Sequence, residues 1–169
     1  ATRNQVPLPL GELTIGDYLR KDNIKTAVVG KTHMKPDKDG MERLGLTKET
    51  DIGIIISEPG FDPYERDDGL HPNNWVKNYP TALTYNQWLN SIGYDGDNPW
   101  ETWANSSEGT NGELLSGWKL RNSNKKARIH EEHSETTYMT NRAIDFMKEN
   151  QDDKWFLHLS YIKPHWPYI

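Results

Sequence analysis

Two stretches of this chain carry the same local pattern: a capped helix, a tight turn, a short apolar strand and then a polar loop. In the first, Thr14-Ile15-Gly16-Asp17 has the T-x-x-D spacing of a capping box, in which side chains satisfy amides that the start of a helix leaves open. A short helix through Tyr18, Leu19 and Arg20 follows, and the chain turns near Asp22-Asn23. Lys25-Thr26-Ala27-Val28-Val29-Gly30 then reads as a buried strand of small and β-branched residues. In the second stretch, Ser134 is placed as an N-cap with Glu135 in the first turn. Tyr138, Met139, Arg142, Ala143, Phe146 and Met147 recur at helical spacing as far as Glu149. After a turn over 150–153, residues 154–162 read as a strand, and Lys163-Pro164-His165-Trp166-Pro167 is the loop beyond it. Helix–strand units in series predict an α/β fold with a parallel sheet. Loops that follow parallel strands leave the sheet at one edge, where open α/β sheets bind ligands.

Between the two stretches the texture changes. Residues 36–130 hold turn dipeptides such as Asp39-Gly40, Pro59-Gly60 and Asp68-Gly69, with tryptophans at 75, 88, 100, 103 and 118. Ile52 to Ile56 is a strand-like run, and a short helix is expected over Thr84 to Ile92 with Tyr85, Trp88 and Leu89 on one face. The segment reads as a long irregular insertion over a sheet face or an active-site mouth. The expected organisation is thus 1–35, helix, strand and loop; 36–130, insertion; 131–169, helix, strand and loop, all within one domain.

Composition limits what these parts can do. Hydrophobic residues make up 34%, against ~45–50% in a typical globular domain, so the core the chain can bury alone is thin. Seven Trp and eight Tyr, with no low-complexity tract, argue against disorder. Starting at Ala1 and stopping just behind a strand, the sequence is expected to be an internal portion of a longer enzyme. A net charge of −5 speaks against a nucleic-acid surface. No apolar run approaches the ~20 residues that span a bilayer, so no membrane role is expected. There is no Cys, hence no disulfide, thiolate ligand or cysteine nucleophile in these residues.

Lys31 and His33 alternate about Thr32, so extended backbone would turn both to one side, offering an ammonium and an imidazole to one anion. A solvated Lys and a structural His after a strand would look the same. His165 lies between Pro164 and Trp166-Pro167, which restrict the backbone around it. His158 reads as a hydrogen-bonded core histidine. His130-Glu131-Glu132-His133 has i, i+3 histidines rather than the i, i+4 zinc spacing and reads as a solvated segment before a helix. Asp67-Asp68-Gly69-Leu70-His71 fits either a metal site or an ordinary turn. Asn105-Ser106-Ser107 has the form of a glycosylation sequon.

Two blocks, taken in order, resemble the sulfatase family of the alkaline phosphatase superfamily. Leu13 to Arg20 followed by Lys25 to His33 is similar to a helix before "T-x-x-x-G-K-x-H". Arg142 to Phe146, then Trp155-Phe156-Leu157-His158-Leu159-Ser160-Tyr161 and Pro164-His165-Trp166-Pro167, is similar to "P-F-F-L-x-L-x-Y-x-x-P-H-x-P". Val6-Pro7-Leu8 and the long insertion resemble the phosphonate monoester hydrolase-like subgroup. That subgroup tends to carry Tyr and Thr where this chain has Lys31 and His33, the sulfatase pair, which tilts the expectation toward sulfate monoesters, with phosphonate or phosphate esters second.

The resemblance implies an alkaline-phosphatase-like sheet, a formylglycine nucleophile made in a C/S-x-P-S-R motif, and a divalent metal (Ca, Mn or Mg). Neither that motif nor a metal-binding Asp set is identifiable in the sequence, so both are expected outside this chain, which alone would be inert. By the same resemblance, Lys31 would bridge nucleophile and ester oxygens, His33 would take a proton as the intermediate collapses, and His165 would hydrogen-bond a non-bridging oxygen. The implied partner is a small sulfate or phosphonate ester, with a homo-oligomer compatible in the full-length protein. A different class of reading is a non-catalytic module, its tryptophans stacking on sulfated glycans.

Overall fold

Strand β1 (Lys25–Gly30) is buried from Thr26 to Gly30, and that burial requires a partner on each side. The computed structural model, which describes residues 6–32, 36–47, 50–67 and 84–169, supplies both. Strands β2 (Asp62–Arg66) and β5 (Trp155–Ser160) flank β1 in the order β2-β1-β5, and all three run parallel. Lys25 pairs with Trp155, and Gly30 pairs with Ser160, so β1 and β5 end together. The C-terminal ends of β1 and β5 therefore lie at the same edge of the sheet.

The backbone falls into two compact units, Ala1–Arg66 with Arg142–Ser160, and Asp67–Asn141 with Tyr161–Ile169. In the first, alternation along the strands sorts side chains to two faces. One face meets the C-terminal half of helix α5 (Glu135–Glu149). Phe146 sits edge-on to Tyr64 and Trp155, and the Lys25 ammonium donates to Asn150 Oδ1 just past the helix end. Arg142 reaches Glu65 Oε2 at 3.3 Å and lies over the Tyr64 ring, fixing the helix to β2. On the other face Thr26 Oγ1 donates to Gly60 O, and Phe61 packs against Phe156.

Helix α1 (Ile15–Lys21) begins with the predicted capping box: Asp17 N donates to Thr14 Oγ1 and Thr14 N donates to Asp17 Oδ2. Gly16 lets it approach the turn at Gly60, whose carbonyl oxygen would lie 2.6 Å from a Cβ at that position. Two further short helices, α2 (Lys38–Arg43) and α3 (Asp51–Ser57), connect β1 to β2.

The second unit is built on aromatics. Helix α4 (Thr84–Ser91) buries Tyr85 and Leu89 as its spacing predicts. A π-helical turn over Trp100–Ala104 carries Trp100 into full burial, and a hairpin of β3 (Ser106–Glu108) and β4 (Leu114–Ser116) follows. Tyr138 and Met139 of α5 and Ile162 complete this core. Among the described residues no helix is long and apolar enough to cross a membrane.

Several expectations change. Ile52–Ile56 is helical, because Thr50 Oγ1 caps Gly53 N and Asp51 stands in the first turn, giving the short apolar run a helix start. The stretch expected to be an irregular insertion contains β2, a strand of the parallel sheet itself. His158 is exposed rather than a core histidine, on the open side of β5 beside Phe61. Asn105 is buried, with its amide donating to Trp100 O, so the sequon is inaccessible in this fold. His133 is held rather than solvated: its Nδ1 meets Tyr94 Oη at 2.9 Å and its ring packs on Trp88. Of the Asp67–His71 cluster only Asp67 lies within the described residues.

Gly30 closes β1 with φ +98°, and a Cβ there would sit 1.9 Å from Ser160 O. Gly30→Ala is expected to cost at least about 3 kcal/mol through backbone strain and overlap. Denaturant unfolding of the full-length protein should show a clearly lowered midpoint.

Candidate functional site

Lys31 emerges half-buried from β1, its amide donating to Ser160 O at 3.2 Å. The backbone around it is held by one guanidinium. Arg66, at the end of β2, donates from Nη1 to Gly30 O and from Nη2 to Thr32 O, both at 3.0 Å. Its Nε pairs with Glu58 Oε1 at 2.9 Å, and Glu58 Oε2 accepts from Thr32 Oγ1 at 2.6 Å. Arg66 thereby bonds the carbonyls on either side of Lys31, and Glu58 locks both the Arg and the loop. A planar five-donor fork suits this task, which a Lys could not perform. His33 lies outside the described residues.

His165 occupies the loop after β5, in the second unit. Its amide donates to Ile162 O, and its Nδ1 lies 2.7 Å from Trp166 O. A carbonyl oxygen only accepts, so Nδ1 carries the proton. Nε2 is then the ring atom left for a ligand: an acceptor on the neutral ring, a donor on the imidazolium. The imidazole stacks on the Trp166 indole at 5.4 Å, and Trp166 sits edge-on to Trp118, itself packed toward buried Trp100. The peptide bonds before Pro164 and Pro167 are both cis. His165 is exposed, so it is presented by a packed aromatic ladder while remaining open to a ligand.

Behind this loop lies a polar cluster. Glu135 is buried, accepts from Trp100 Nε1 at 2.7 Å, and stands beside the buried Asp67 carboxyl. Burial first, and the Asp67 charge second, push the Glu135 carboxyl up from its ordinary 4.5 to about 8. Lys163 Nζ donates to Asn105 Oδ1 at 2.8 Å and to Pro167 O at 2.6 Å. Desolvation lowers the Lys163 pKa, and the Glu135 charge partly opposes that.

Sequence reasoning missed Arg66, Glu58, Asp67 as a buried partner, Glu135 and Lys163. Lys163 lies two residues from His165, and Asp67 opens the Asp67–His71 cluster, but neither position revealed its partner. Among the described residues no three His, Asp or Glu side chains converge as a metal would require.

Because Glu135 binds its proton more tightly folded than unfolded, its contribution to stability is complete below about pH 4.5 and is lost as pH rises through about 8. Gln at this position keeps an acceptor for Trp100 and stays neutral. Glu135→Gln in the full-length protein is expected to raise the unfolding temperature by several degrees at pH 9 and to change it little at pH 4. Thermal unfolding across that range checks this.

Comparison with known proteins matches this geometry to one family. The sulfatase family model matches residues 1–169. The multifunctional alkaline phosphatase superfamily protein PehA of Trinickia caryophylli is 26% identical over 170 residues, covering 100% of this chain and 29% of that protein. Among solved structures, the phosphonate monoester hydrolase SpPMH of Silicibacter pomeroyi is similar with a TM-score of 0.66 and 22% identity, over 98% of this chain and 28% of that one. The phosphonate monoester hydrolase of Agrobacterium radiobacter is similar with a TM-score of 0.61 and 21% identity over the same shares. The chain thus spans less than a third of these relatives, and its fold is similar to the matching part of the two solved structures. The chain belongs to the sulfatase family.

Proposed function

We propose that the full-length protein is a hydrolase of sulfate monoesters, with Lys31, His33 and His165 acting on the ester. The observation that carries this reading is a Lys-bearing loop at the C-terminal edge of a parallel sheet, clamped by Arg66 and Glu58, in a chain of the sulfatase family. A loop fixed through both neighbouring carbonyls can aim an ammonium without reorganising, which is what stabilising developing charge requires. Lys31 would supply a positive charge to the non-bridging oxygens. His33 would accept a proton during breakdown of the intermediate. His165, with Nδ1 committed to Trp166 O, would meet the ester through Nε2.

The nucleophile and a divalent metal are proposed to come from the rest of the full-length protein. There is no Cys in this chain and no S-x-P-S-R segment, so the 169 residues alone are expected to turn nothing over.

Phosphonate monoesters are the second reading, favoured by the solved relatives, both phosphonate monoester hydrolases. The glycan-stacking module draws less support. Trp100 is fully buried, the Trp118 indole N–H is bonded to Glu101 and that of Trp103 to Asp95, so these rings serve the packing of the second unit.

In the full-length protein, Lys31→Ala and His165→Ala are each expected to lower turnover of 4-nitrophenyl sulfate by roughly 10²-fold or more. Rates close to the unaltered protein in both would end the site assignment. Comparing kcat/KM for 4-nitrophenyl sulfate and 4-nitrophenyl phenylphosphonate separates the two substrate classes: a preference for the phosphonate puts the second reading ahead of the first.

A further inference from the structure

The five residues of the His165 loop are closed into a ring by one ammonium. Lys163 opens the loop, and its Nζ donates to the carbonyl of Pro167 at the far end, while the amide of His165 donates back to Ile162 O. The same Nζ is anchored to the interior through Asn105 Oδ1. Asn105 is itself fully fixed. Its amide Nδ2 and backbone N–H both donate to Trp100 O, and its carbonyl accepts from Gly117 N. Gly117 O in turn accepts from Tyr168 N, so the residue just past the loop is tied to the same scaffold. From Trp100 the path continues through Nε1 to Glu135, beside Asp67.

A half-buried ammonium is costly without an opposite charge nearby. The buried Glu135, which stands beside Asp67, is the acidic group whose charge acts on this one. Tyr85 of α4 also faces the pair, and its hydroxyl donates to His133 O. The Glu135 charge opposes the desolvation of the cation, and the two bonds to Asn105 Oδ1 and Pro167 O direct it at the loop.

We infer that Lys163 is a positioning residue: its ammonium, bonded to Asn105 Oδ1 and Pro167 O, holds the loop in the shape that presents His165 to the ester. The inference rests on the proposed role of His165 in binding substrate. Nothing about Lys163 requires it to touch the substrate. Its two strong bonds are to the protein, and it acts by removing freedom from the ring that carries the imidazole. Misplacing a substrate-contacting group by about 1 Å can cost as much as 10²-fold in rate.

The test is steady-state turnover by the full-length protein carrying Lys163→Met, His165→Ala or both, on whichever of 4-nitrophenyl sulfate and 4-nitrophenyl phenylphosphonate it hydrolyses. Met keeps most of the stem and removes the donors. Acting through His165, the Lys163→Met change should lower kcat/KM by roughly 10- to 100-fold in the otherwise unaltered protein. It should lower it by less than about twofold once His165 is Ala, because residues that act as a unit are not additive. A purely structural role would multiply the two losses, and that result overturns the inference. So does an unimpaired Lys163→Met beside a crippled His165→Ala, and both results leave the His165 reading standing. Full activity in His165→Ala removes that reading and this inference together. Lys163→Met removes the cation that faces Glu135; if it does not fold, Lys163→Met with Glu135→Gln removes the facing acid as well and must show the same pattern.

Discussion

The parallel pairing of Lys25–Gly30 with Trp155–Ser160 is the constraint from which the rest of this architecture follows. It joins strands far apart in sequence in an unshifted register, and it brings Gly30 level with Ser160. Side-chain period along a strand is two, so a slip of one residue would turn Lys25, Ala27 and Val29 away from α5 and Thr26 and Val28 away from Gly60. Register is thus fixed by burial on both faces of β1. The ends of β1 and β5, after which the two loops of chemical interest begin, inherit their common edge from that register and from nothing local to themselves.

Each of those loops is then stiffened by the same device, a cation that donates to backbone carbonyls. Arg66 bonds Gly30 O and Thr32 O; Lys163 bonds Pro167 O. Each cation faces an acidic side chain supplied by a different element, Glu58 for Arg66 and Glu135 for Lys163. Carbonyls at the ends of strands and in tight loops lack ladder partners, and a charged donor satisfies them more strongly than a neutral one. The choice of Arg in one place and Lys in the other matches the acceptors: two carbonyls and a carboxylate spread in a fan suit a fork, while a carbonyl and an amide oxygen close together suit a point charge.

The helices and strands that bracket the chain are legible in the sequence because their signals are local. Thr14 and Asp17 satisfy each other's backbone within one turn, and Val28 and Val29 have few comfortable alternatives to a buried strand. Ile52–Ile56 resembles a strand because apolarity alone does not choose between helix and strand, and the deciding signal, Thr50 capping Gly53, lies just outside the run. β2 is hidden for a different reason: Asp62-Pro63-Tyr64-Glu65-Arg66 has no apolar pattern, and it joins the sheet because Tyr64 packs on Phe146 and Arg142 pairs with Glu65. Of the proposed site, Lys31, His33 and His165 are the residues that motif order suggests. The residues that hold the loops are not, since Arg66, Glu58, Asp67 and Glu135 acquire their roles only when distant segments meet.

The scarcity of plain hydrophobes that sets this chain apart in composition explains why its interior carries charge at all. With three Phe against seven Trp and eight Tyr, most aromatic burial brings an N–H or O–H inside with it, and each needs an acceptor. Tyr85 finds His133 O, Tyr94 finds His133 Nδ1, Trp118 finds Glu101, and Trp100, the most deeply buried of them, finds Glu135. An acceptor buried to satisfy an indole is a carboxyl in a poor solvent, and it stays there by keeping its proton and by standing near Lys163. The indole N–H of Trp100 therefore leads, through Glu135, to the ammonium that closes the His165 loop. A phenylalanine at position 100 would fill much of the same space and break that path at its first link. The polar aromatic core and the stiff loop beside it are thus one structure, and the chain could not have acquired the second from an ordinary aliphatic interior.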